Sequence, residues 1–260
     1  MGYKMIKQGY IPDPPAKDDK NFTLELRPKI AILSPGDVDL RWACTDTNQY
    51  SMAACVGNAS ADSIEVVNAI EGRPPVELSR MFLYTLCRNK MDYDRDGHGD
   101  INQDDGTFIR LAFQVLSEFG ICSEATWAYT KENLYKLPSI KAMREAAGYK
   151  IHGAYRIYET GYDRVEACIA ALRSHHPVVF ATKVGSHFKS CRDMTPLMPL
   201  DTNGGGHAML MVGYIDGKGF IIKNSWGTGF GSRGYCVMDP SYIAWASTHD
   251  LWVPTRGFGF

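Results

Sequence analysis

The sequence predicts an α+β protein of two unlike lobes around an interlobe cleft. Two observations carry this. Apolar residues recur at helical three- and four-residue steps through much of the first half. After Pro177 the chain changes to strand-like runs, VVFATKV, HAMLMVGYI, GFIIKNSW and GYCVM, with an Asp-Gly hairpin turn in IDGKG. A helical layer and an antiparallel sheet must each bury one face, and a cleft between such layers is a common place for chemistry.

The helices follow in order. Ser51 to Ile70 is helical in pattern, with Ser51 as its expected cap and GRPP as its stop. LSRMFLYTLCRNK (Leu78 to Lys90) and TFIRLAFQVLSEF (Thr107 to Phe119) are the next two, the latter closed by Gly120. SIKAMREAA ends at Gly148, and YDRVEACIAALRS precedes Pro177. Residues 1–34 are Pro-punctuated and extended in character. They form an N-terminal extension that suits a short prosegment lying in or near the cleft, or equally a tail packed elsewhere. Residues 35–260 form the main domain, helical over about 35–150 and β over about 151–260.

Composition excludes several classes. A net charge of −1 argues against bulk binding to nucleic acid or an anionic membrane. No run of about 18 apolar residues is present, as a membrane helix would need. The chain reads as a monomer whose partner is its substrate. None of the seven cysteines forms a C-x-x-C pair, and no secretory signal is recognisable. Most cysteines are therefore expected to be reduced and buried, in the cytoplasm or another reducing compartment.

Four residues suggest chemistry. Cys55 stands near a helix start, where N–H groups and the helix dipole favour thiolate. His207 begins an apolar strand, and Asn224 begins NSWG across the hairpin, which brings the two together. Gln49 precedes the cysteine in a Gln-x5-Cys spacing. A thiolate attacks a carbonyl carbon, an imidazole moves the proton, an amide orients the imidazole, and a Gln amide with the Cys55 N–H meets the oxyanion.

QYSMAAC, GGHAMLMVGY and KNSWGTGFGSRGY together resemble the papain-like cysteine peptidases. DVDLRWAC, ACVGNA, LSRMFLY, DDGTFIR and the GYIPDPPAKDD lead are similar to the compact bacterial, archaeal and viral members. The resemblance implies a two-lobe fold with a β-barrel-like second lobe. It implies endopeptidase activity through a Cys55 thioester and no required cofactor. It implies that Trp226 shields the His207–Asn224 bond. It places Asp105, Gly106 and Thr107 on the cleft wall, and Ala181, Gly206 and Ala208 at an apolar pocket for the second residue before the scissile bond. Ala53 and Ala54 replace the usual Gly and Ser, which narrows the approach to the sulfur. Met52 replaces a cysteine that secreted relatives use in a disulfide.

Two alternatives stay open. One is a catalytically weak or autoinhibited papain-fold protein that binds another ligand or partner. The other is a transglutaminase-like acyl transferase, which Asn224 argues against. Separately, Asp92, Asp94, Asp96, His98 and Asp100 in MDYDRDGHGD suit a structural Ca2+ loop or a solvated acidic loop.

Overall fold

The structure is a computed structural model and describes residues 9–27, 36–94, 101–200 and 203–255. A short strand β1 (Val38–Asp39) precedes the helices α1 (Cys55–Ile70), α2 (Arg80–Asp94), α3 (Ile109–Glu118) and α4 (Ile140–Ala146). Then come β2 (Gly153–Ile157), α5 (Gly161–Arg173), β3 (Val178–Val184), α6 (Ser186–Lys189), β4 (Pro196–Leu197), β5 (Gly205–Ile215), β6 (Gly219–Lys223), β7 (Tyr235–Met238), α7 (Pro240–Ala244) and β8 (His249–Thr255).

Local chemistry sets most boundaries. Ser139 caps α4 by accepting the Ala142 N–H, and the Ser79 hydroxyl accepts the Phe82 N–H at the start of α2. Gly120, at φ +81°, closes α3 with its N–H on the Val115 carbonyl. One expected cap is corrected. Ser51 is exposed in a turn, and α1 begins at Cys55 with no side-chain cap. The chain from Gln49 to Met52 closes a turn, Met52 N–H to Gln49 carbonyl at 3.1 Å, so Ser51 is spent before the helix begins.

The strands form one sheet in the order β2-β8-β3-β5-β6-β7-β4, with β1 added through β5. The path is open rather than a closed barrel. Pairing is antiparallel except for β4 with β7. Both faces are covered. On β3, Val179 and Ala181 pack toward the α1–α3 side, and Val178 and Phe180 join the cluster with Val165, Leu172 and Tyr242. Alternate residues of one strand thus enter two cores, which is why VVFATKV reads as continuously apolar. Trp252, Leu210 and Val212 share a core with Ile64, Phe82 and Leu116, so helices and sheet are joined by packed side chains.

Asp92 and Asp94 fall on the last turn of α2, in helical backbone rather than in the loop expected for them. Asp96, His98 and Asp100 lie outside the described residues. Among the described residues no group of three or more His, Cys, Asp or Glu is arranged to hold a metal.

Candidate active site

Cys55 is the first residue of α1, so its sulfur lies where helix N–H groups have no intrahelical partner. Burial is complete and is the largest influence on the thiol, pushing its pKa up. The N–H groups of Ala208, Gly9, Val56 and Cys55 itself pull the other way. The expected thiolate is therefore not the form this environment favours. Desolvation outweighs the helix end.

His207 lies on β5, one residue before the Ala208 N–H that reaches the sulfur. Its Nε2 is 2.8 Å from Asn224 Oδ1. That oxygen also accepts the Ser225 N–H at 2.8 Å, so the Asn224 amide is oriented and Nε2 carries the ring proton. Nδ1, buried and with no hydrogen-bond partner among the described residues, is then the basic nitrogen. Burial lowers the His207 pKa to about 4, against the opposing bond to Asn224.

Trp226 packs on this pair. Its ring centroid is 4.8 Å from that of His207, and Phe188 of α6 meets it edge-on at 5.4 Å. Phe188 was not singled out by sequence. SHFK lies in a loop-like stretch with no motif around it. Gln49 is fully buried. Its Oε1 accepts the Ser225 hydroxyl at 2.7 Å, which turns Nε2 toward Met52, whose carbonyl it meets at 2.9 Å. Ser225 lies inside the NSWG motif, and its part in setting the Gln49 amide was not read from it.

A buried ionic cluster fixes α1 against β6. Asp62 of α1 accepts from Arg80 at 2.7 Å and from the Lys223 ammonium, which also donates to Thr47 Oγ1 at 2.6 Å. Burial pushes the Asp62 pKa up, but the two cations outweigh it and hold it down. Because Lys223 precedes Asn224, this cluster sets the helix that carries Cys55 against the strand end that carries Asn224.

The cleft is occupied by the chain's own N-terminal segment. Thr107 donates its N–H to the Gly9 carbonyl, and Ile11 donates to the Thr107 carbonyl, both at 2.9 Å. Gly106, at φ +92°, leaves no room for a side chain, since an added Cβ would lie 2.1 Å from the Gly9 oxygen. Tyr10 lies against Gly206 in the same way. The backbone N–H of Gly9 is among the groups that pull the Cys55 pKa down, so the segment acts on the thiol as a donor. Asp105, by contrast, is exposed, and its neighbour Asp104 takes the structural part, accepting from the Ala53 N–H and from the Tyr84 hydroxyl. Nothing in DDGT distinguished the two aspartates.

Ala181 and Ala208 are cross-strand partners on β3 and β5, both fully buried in the core against which Tyr10 and Ile11 pack. The pocket beside them is not wholly apolar. The Tyr10 hydroxyl donates to Asp250 Oδ2 at 2.6 Å.

The segment is anchored beyond Tyr10. Asp13 accepts from the Arg110 N–H and from Trp252 Nε1, and donates its own N–H to Asp250. Asp19 makes a two-point pair with Arg110, at 2.7 and 2.6 Å. Arg156 joins Asp19 at 3.2 Å and Asp250 at 2.5 Å.

Residues 35–246 match the model of the papain family of cysteine proteases. The chain belongs to that family and is a cysteine-type peptidase. It is 31% identical to an uncharacterized peptidase C1-like protein of Acanthamoeba polyphaga mimivirus, over 94% of this chain and 85% of that one. Rat cathepsin S is 28% identical over 78% of this chain and 60% of its own length. Among solved structures, xylellain, a cysteine protease from Xylella fastidiosa, superposes with a TM-score of 0.81 at 29% identity, covering 98% of this chain and 97% of that one.

Proposed function

We propose that Cys55 is the nucleophile of this peptidase, His207 its base and acid, Asn224 the orienting amide, and Gln49 with the Cys55 N–H the oxyanion donors. The observation that carries this is the His207–Asn224 bond at 2.8 Å. It commits Nε2 and leaves Nδ1 as the basic atom, on a strand whose next N–H pulls the Cys55 pKa down. Nδ1 takes the thiol proton, and the thiolate attacks the peptide carbonyl carbon. The oxyanion meets the donors, Nδ1–H protonates the leaving amine, and water then hydrolyses the Cys55 thioester. Trp226 keeps water from the His207–Asn224 bond.

The N-terminal segment is read as a short prosegment that holds the enzyme closed. It does so in two ways. It fills the wall that would pair with substrate backbone, and it keeps thiol and imidazole dry, so the neutral pair is favoured over the ion pair. Water admitted on its release weakens the dominant burial effect on both groups and moves them toward thiolate and imidazolium. The reaction is an endopeptidase's, acts as a monomer, and suits a reducing compartment, in keeping with seven cysteines that form no disulfide. A calcium ion at Asp92 to Asp100 would be structural only, and an unchanged melting temperature between calcium and chelator would remove it.

The experiment is covalent labelling. A dipeptidyl epoxide adds to the chain opened by Gly9→Ala and not to the same chain carrying Cys55→Ala as well, as read by intact mass. Equal labelling of the two would overturn the assignment.

A further inference from the structure

We infer that the pocket filled by Tyr10 selects a tyrosine side chain in substrates, and that Asp250 makes the selection. This rests on the reading of the cleft as a peptidase site. The walls of the pocket are Gly206, on which the Tyr10 ring lies, and the Thr107 backbone, which pairs on either side of Tyr10. Ala181 pairs with Ala208 on one side and with His249 on the other. The residue after His249 is Asp250, 6% exposed, and it receives the phenol. The same strands that build the small-residue wall thus set a carboxylate at its end.

Asp250 has a divided task. Oδ1 is taken by Arg156, while Oδ2 accepts the Tyr10 hydroxyl and the Asp13 N–H. When the segment leaves, Oδ2 loses both donors. Water takes their place in the open cleft, and a side chain that fills the pocket displaces that water; a phenol of the right reach restores the bond. A phenylalanine ring fills the same space and leaves the oxygen unmet. The asymmetry resembles other sites built to bind a hydroxyl, which reject analogues that lack it more strongly than apolar pockets reject an added group.

Charge argues against a basic side chain. The closed state holds Arg110 and Arg156 among three carboxylates, Asp13, Asp19 and Asp250. Two of these belong to the departing segment. The open pocket keeps both guanidiniums and only Asp250, so a guanidinium or ammonium would join a site with a surplus of positive charge. A neutral donor does not meet that penalty.

Two measurements on the full chain test this. First, Tyr10→Phe removes only the hydroxyl. It should speed iodoacetamide alkylation of Cys55 by about tenfold or more, because the closed state loses a hydrogen bond to a charged group. An unchanged rate overturns the inference. Second, Gly9→Ala together with Tyr10→Gly opens the cleft and empties the pocket, and dipeptidyl epoxides carrying Tyr, Phe or Arg at the second residue compete for Cys55. Tyr should react about tenfold or more faster than Phe, and Arg slowest. Asp250→Asn should bring the Tyr rate down toward the Phe rate. Equal Tyr and Phe rates with Cys55-dependent labelling overturn this inference alone. Labelling that persists in Cys55→Ala overturns the peptidase reading and this inference with it.

Discussion

Gly9 rests on the Ala53 carbonyl so closely that a Cβ added at Gly9 would lie 1.6 Å from that oxygen. The obstacle is backbone two residues before the nucleophile, held by the Ala53 N–H on Asp104, so it has little freedom to yield. Ala53, which narrows the approach to the sulfur, is matched by a residue with no side chain. We therefore expect Gly9→Ala to expel the N-terminal segment. Cys55 alkylation should rise at least as much as in Tyr10→Phe, with the far-ultraviolet dichroism of the domain preserved. An alkylation rate equal to that of the parent would mean the segment does not guard the thiol.

Removing the oxyanion donor should separate binding from chemistry. In a chain opened by Gly9→Ala, Gln49→Ala should lower kcat by about 10²–10³ with a small change in KM. The amide is held by the Ser225 hydroxyl on Oε1, so Ser225→Ala should lower kcat less, by loosening the amide's orientation rather than deleting it. A Gln49→Ala enzyme of undiminished kcat would remove Gln49 from the oxyanion site.

The N-terminal latch should depend on pH in a defined direction. Burial, and next the charge of Asp250, raise the Asp13 pKa to about 6 from an ordinary 3.8 in the closed state. A carboxyl whose closed-state pKa is raised favours closure when protonated. Its contribution is full below 3.8 and is lost as pH rises through about 6. The groups facing Asp13 are Asp250, Tyr10, Trp252 and Arg110, with Arg156 at 3.9 Å. His249 works against the trend, since burial lowers its pKa and acid would charge it near Arg156. Asp13→Asn isolates the Asp13 part. Hydrogen exchange of the Ile11 and Thr107 amides, corrected for intrinsic rate, should show more protection at pH 5 than at pH 7.5 in the parent. The variant should lose most of that difference. Greater protection at pH 7.5 in the parent would reverse the sign assigned to Asp13.

What the sequence made legible was local. The Gln-x5-Cys spacing, the histidine strand and NSWG each sit within a few residues, and the β5–β6 hairpin joins two of them through Asp216-Gly217, with Ile215 opposite Gly219. The strand β8 was missed because HDLWVPT carries a proline and no clean alternation. It is a strand because β2 and β3 both pair with it, partners far away in sequence. The pairing of the N-terminal lead with Thr107 was equally out of reach, since no property of GYIPDPP names its partner. Asp250 was invisible for the same reason. Its meaning comes from Tyr10, 240 positions away.

The buried charges under α1 give the last prediction. Arg80, Asp62, Glu65 and Lys223 are each at most 7% exposed, and Asp62 is the only one that bridges both cations. Asp62→Ala leaves Lys223 with Thr47 alone and Arg80 with Glu65 as its nearest carboxylate. Breaking a buried pair from one side costs about 3–5 kcal/mol, because the partner charge stays desolvated. The loss should be larger than for Asp62→Asn, whose amide oxygen still accepts from Lys223. It should also reach the chemistry, because Lys223 adjoins Asn224 and α1 begins at Cys55. Denaturant unfolding measures the first effect, and epoxide labelling of the Gly9→Ala chain at a temperature where it is fully folded measures the second. If Asp62→Ala lost stability but labelled Cys55 at the parental rate, the cluster would hold the fold together without setting the distance between sulfur and imidazole.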